Sequence, residues 1–156
     1  MGRVRLNIGE NNRRSEKPTA ALRRFRRVLV SGDLEDMGEV FSFSSAYDYW
    51  RDIAVSGGGA EPEREWFREM INALFASSLV RDTVSSHRIE NPREKIMGPV
   101  ACVVFERAGD PGCEGVATLV KEAGAWKVRT YPGVFPGELL YLMNERLRPR
   151  RERLEK

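Results

Sequence analysis

Residues 116–131 read VATLVKEAGAWKVRTY, and their period decides the fold of what surrounds them. Val116, Thr118 and Val120 share one side of an extended segment, and Trp126, Val128 and Thr130 share one side of the next, the two-residue repeat of a strand. Ala123-Gly124 between them suits a short hairpin turn. Working backwards, residues 99–107 are a continuous apolar, β-branched run, joined to residue 115 through Gly109-Asp110-Pro111-Gly112, and residues 83–89 alternate weakly. A meander of about four antiparallel strands is expected.

Before residue 82 the period is helical. Pro18 suits a first helical position, and Ala21, Leu22, Phe25, Val28 and Leu29 form one apolar stripe, so a helix is predicted over 18–31, stopping at Gly32. Asp33 can cap a short helix through Leu34, Met37 and Phe41. Ser44 or Ser45 can cap another over 46–55, with Ala46, Tyr49, Trp50 and Ile53 on one side and Asp48 and Asp52 on the other. After a glycine-rich loop at 56–60, Glu61, Glu63 and Glu65 open a long, mostly buried helix over 62–80 containing Trp66 and Phe67. A last helix begins at Pro136, carries Leu139, Leu140, Met143 and Leu147 as a stripe, and ends at Pro149. Its apolar side can meet another subunit or pack back on its own sheet.

Helices first and a meander second define an α+β domain, with helices in the concave face of a curved sheet and one extra C-terminal helix. Residues 1–17 read as a flexible basic arm, 18–148 as the single domain and 149–156 as a charged tail. The chain of 156 residues is 41% hydrophobic and 31% charged, enough for one core. Its +3 charge sits at the ends, because residues 1–17 and 144–156 each carry an excess of three cations. Neither end interleaves aromatics, so solvated tails are favoured over nucleic-acid binding. The longest apolar run, from Val100 to Phe105, is too short to span a bilayer, and with no signal-type stretch before Ala20 a cytoplasmic protein is expected. Cys102 and Cys113 are expected to be free thiols, Cys102 as a small core residue opposite a position near Val120.

The segment 22–41, with its "F..VLVSGDLEDMGEVF" pattern, and the hairpin 116–131 resemble the opening helices and final hairpin of the nuclear transport factor 2-like superfamily. The resemblance covers about two-thirds of the chain, through a helix break at Gly-Asp and a hairpin with an inward Trp. It implies a cone whose sheet wraps a helix around a pocket, and a homodimer formed through the sheet. The helices over 62–80 and 137–148 depart from that pattern.

In such a cone Phe41, Trp50, Trp66, Thr118, Trp126 and Thr130 are the expected ligand-binding residues, beside Phe43 and Tyr47, and the expected ligand is apolar or amphipathic. The competing reading as core filling applies to each aromatic. His87, the sole histidine, is the candidate general base on a predicted strand, with Tyr47 as polariser, in an isomerase, dehydratase or cyclase type of enzyme. Enzymes resembling the family place an Asp on an inward strand position. Here the last three strands offer only Glu106, Glu122 and Asp110, so no catalytic set transfers. A third reading is a protein-interaction module built on the sheet and terminal helix. No cofactor is implied. One histidine and two separated cysteines build no metal site, and the Gly57-Gly58-Gly59 loop lacks the lysine of a phosphate-binding motif.

Overall fold

The computed structural model describes residues 16–107 and 114–132. The arm through residue 15, the turn at 109–112 with Cys113, and the helix expected from Pro136 with the tail after it lie outside the described residues.

Helix α1, Pro18–Ser31, starts with proline and buries Ala21, Leu22, Phe25 and Leu29. Gly32 closes it in the left-handed conformation, φ 76°, where a side chain would be strained. A 3₁₀ turn, Leu34–Asp36, is capped by Asp33 and leads into the one-turn helix α2, Met37–Val40. Helix α3, Phe43–Ser56, is capped by Ser42, whose hydroxyl accepts from the Ser45 amide, so the cap lies two residues ahead of Ser44 and three ahead of Ser45.

The largest departure from the sequence reading follows. The helix expected over 62–80 is two helices, α4 at Arg64–Ala76 and α5 at Ser78–Ser86, parted by the extended Ser77. The weak strand expected over 83–89 is therefore mostly helix. Thr83, Ser85 and Ser86 turn their hydroxyls back onto the carbonyls of Leu79, Asp82 and Thr83, which satisfies these hydroxyls within the helix. Val84 is fully buried, and Arg26 of α1 donates to the Val84 and Ser85 carbonyls at the α5 C-terminus.

Strands β1, Ile89–Met97, β2, Val100–Arg107, β3, Glu114–Glu122, and β4, Ala125–Thr130, form one antiparallel meander in the order β1-β2-β3-β4. Gly98, φ 60°, precedes Pro99 in the first two-residue turn, and Ala123 and Gly124 both take positive φ in the second. Phe41 adds a parallel bridge to Val128, which ties the segment between α2 and α3 to the β4 edge.

The helices pack against one face of this sheet, so the fold is α+β. That face carries Ala101, Val103 and Phe105 from β2, Ala117 and Leu119 from β3, and Trp126 and Val128 from β4. Val116, Thr118 and Val120 share a face as the alternation implies, but it is the opposite one. β3 is apolar on both sides, so alternation could not say which set faces the helices. Cys102 pairs with Thr118, near Val120 as expected, but it lies half-buried on this outer face and not in the core.

Candidate functional site

The residues proposed to line a cavity divide among several places. Phe41 is a core side chain, with ring centroids 6.1 Å from Phe25 and 5.0 Å from Phe75. Tyr131 continues the cluster, 5.7 Å from Phe25 and 6.0 Å from Phe105. These rings occupy the space between α1, α4 and the sheet at ordinary contact distances, as close packing requires. Trp50, Trp66 and Trp126 are also buried, on α3, α4 and β4.

Thr118 and Thr130 do meet, with hydroxyl oxygens 2.6 Å apart, but on the outer face. Arg129 is an extra residue in β4 opposite the Thr118/Leu119 step, and this bulge turns Thr130 away from the side of Trp126 and Val128.

Tyr47 belongs to the junction of α3 and α4. Its hydroxyl donates to the Pro62 carbonyl at 2.7 Å, which commits its single proton, and the guanidinium groups of Arg51 and Arg64 lie over its ring, 5.7 and 4.8 Å from the centroid. Burial, and then the Glu61 carboxylate 3.5 Å away, raise its pKa above the ordinary phenol value. His87 is at the other end of the helical layer, the cap residue closing α5, with its amide bonded to the Val84 carbonyl. The expected base and polariser thus sit on separate helix junctions.

The amides of Gly57, Gly58 and Gly59 turn back to the carbonyls of Ile53, Val55 and Ala54. They close α3 and do not present an anion-binding nest. Among the described residues no three His, Cys, Asp or Glu side chains cluster as metal ligands, and no helix is long and apolar enough to cross a membrane.

A concavity with mixed chemistry lies outside the core, at the β4 edge. An open groove of about 660 Å³ is lined by Ser45, Asp48, Tyr49, Asp52, Ile53, Ser56, Gly57 and Arg129. Its walls are fixed from both sides. Ser42 anchors the α3 N-terminus by donating its amide to the Val128 carbonyl at 2.9 Å and its hydroxyl to Glu122. The β4 bulge presents Arg129, which lies 4.9 Å above the Tyr49 ring and donates Nε to Thr118 at 3.2 Å.

Asp48 and Asp52, one turn apart, flank Arg51 at 3.4 and 3.3 Å. Arg64 also approaches Asp48 at 4.0 Å, and with side chains 51% and 72% exposed the two carboxylates can be reached by a further cation without displacing a buried pair. Tyr49 and Ile53 supply the apolar floor. Arg129 was not singled out in the sequence, because a bulge leaves no mark in the residue alternation. Asp48 and Asp52 were visible only as a solvated helix face.

No family model, curated protein or solved structure matches this chain.

Proposed function

We propose that this chain is a cytoplasmic small-molecule-binding module of nuclear transport factor 2-like architecture, and that its ligand is amphipathic and lodges in the groove between α3 and β4. One observation carries the reading: a groove of about 660 Å³ sets Tyr49 and Ile53 beside two largely exposed carboxylates and one arginine. That combination suits a flat apolar body with a cationic head, with the head at Asp48 and Asp52 and the body along Tyr49. The succession of helices and a four-strand meander supports the architectural part. Catalysis through His87 and Tyr47 has less support, since the Tyr47 hydroxyl proton is committed to Pro62.

Calorimetric titration with 4-phenylbutylammonium and, separately, 4-phenylbutyrate tests this reading. The ammonium is expected to bind about tenfold more tightly than the carboxylate, the ratio that about 1.4 kcal/mol produces. Asp48→Asn with Asp52→Asn is expected to erase the preference. Equal binding of both compounds, or binding of neither, would overturn the reading.

A further inference from the structure

The two walls of the groove between α3 and β4 carry opposite charges that their surroundings leave unbalanced. Around the α3 wall Asp48, Asp52 and Glu61 meet Arg51 and Arg64, three carboxylates against two guanidinium groups. On the β4 wall Arg129 forms no ion pair among the described residues. Its contacts are the Thr118 hydroxyl, which accepts from Nε at 3.2 Å, and the Tyr49 ring, whose centroid lies 4.9 Å from the guanidinium carbon. Thr118 is held in turn by Thr130, with 2.6 Å between the hydroxyl oxygens. Nε is thus occupied and one face of the guanidinium is covered, which fixes its plane and leaves the two terminal NH₂ groups to grip a carboxylate through parallel hydrogen bonds.

We infer, building on the groove proposed above as the binding site, that its ligand is a zwitterion with ammonium and carboxylate on one carbon: an α-amino acid with an apolar side chain. Asp52 follows Tyr49 by three residues, so the two side chains leave α3 as neighbours, about 5–6 Å apart at Cβ. A guanidinium over Tyr49 and a carboxylate at Asp52 therefore suit a head group that carries both charges close together. The ammonium answers the surplus negative charge at Asp48 and Asp52, the carboxylate answers Arg129, and the ligand brings no net charge of its own into the groove. Its apolar side chain lies along Ile53 and the edge of Tyr49, which line the same groove. A ligand with an ammonium alone sets a second cation near Arg129 with no anion between them, which lowers its affinity.

Calorimetric titration of the full chain with 2-amino-5-phenylpentanoate and, separately, 4-phenylbutylammonium tests this ligand class, since the first compound is the second with a carboxylate added on the carbon that bears nitrogen. The amino acid is expected to bind about tenfold more tightly, through one added bidentate pair. That gain is expected to vanish in Arg129→Gln and to persist in part in Arg129→Lys, which keeps the charge and loses the planar fork. Equal binding of the two compounds would overturn the inference and leave the groove reading in place. A gain undiminished in Arg129→Gln would overturn it by placing the carboxylate elsewhere, and binding of neither compound would overturn the inference and the groove reading together.

Discussion

The Ser42 hydroxyl donates a hydrogen bond to a carboxylate oxygen of Glu122, across 80 positions of chain. Ser42 is at once the cap of α3 and a nearly inaccessible side chain, 2% exposed, and Lys127 approaches the other Glu122 oxygen at 3.6 Å. A helix N-terminus, a carboxylate and an ammonium thus meet where β3 turns into β4. The arrangement holds the groove wall in place, because α3 carries Asp48, Tyr49 and Asp52 and β4 carries Arg129.

Ser42→Ala is expected to destabilise the domain by about 1–2 kcal/mol, through loss of a cap and of a partner for a partly buried carboxylate. Glu122→Ala removes the acceptor, and the double variant should cost less than the sum of the two single variants by about 0.5 kcal/mol or more, since both changes break the same contact. Urea unfolding of the four proteins measures this. Strict additivity would show that the contact contributes nothing.

Tyr47 makes stability depend on alkaline pH. Its folded pKa lies above the unfolded phenol value of about 10, so between the two values the folded state holds a proton that the unfolded state has released. The contribution is complete below about pH 10 and is lost as pH rises through the folded pKa. Tyr47→Phe is expected to cost about 0.5–1.5 kcal/mol at pH 7 by removing the bond to Pro62, and to flatten the decline above pH 10. Urea midpoints at pH 7, 10 and 11 check both; an unchanged alkaline slope would contradict the assignment to Tyr47.

The packed interior sets a third expectation. Phe41→Ala should cost about 3–5 kcal/mol, because the Phe25 and Phe75 rings cannot close the space it leaves. Leu79, 74% exposed on α5, should tolerate alanine within about 0.5 kcal/mol. A small loss at Phe41 would indicate empty volume beside it, as a hollow cone requires.

Ala123 holds φ 49° in the β3–β4 turn, a conformation alanine adopts at a cost. Ala123→Asn creates the Asn-Gly pair such turns favour and is expected to raise stability by about 0.5–1 kcal/mol, read from the thermal midpoint. A lowered midpoint would contradict the turn geometry.

Strands β2 to β4 and α1 were legible because their periods are clean: Trp126 and Val128 alternate with Lys127 and Arg129, and Leu22, Phe25 and Leu29 keep one helical stripe; β1 was not, since Ile89–Met97 begins where the strand expected over 83–89 ends. Residues 83–86 were not, because Thr83, Ser85 and Ser86 have strand-like or neutral propensity, and the burial of Val84 against α1 decides the matter. The inward face of β3 was equally hidden, since Ala117 and Leu119 are no more apolar than Val116 and Val120. For the site, the aromatic residues were visible as a class, but whether Phe41 lines a cavity or fills a core depends on Phe25, Phe75 and Tyr131, brought together only by the fold. The Ser42–Glu122 contact and the placement of Arg129 arise from tertiary register, which no local spacing encodes.

Backbone amide chemical shifts followed during titration with 4-phenylbutylammonium give the most direct test of the groove. The expected result is saturable change concentrated at Ser45, Asp48, Tyr49, Asp52, Ile53, Gly57 and Arg129, with Phe25, Phe75 and Leu119 unmoved. Saturable change centred instead on Phe25, Phe75 and Leu119 would place the ligand inside the domain and contradict a site on its surface, and no saturable change at all would contradict binding altogether.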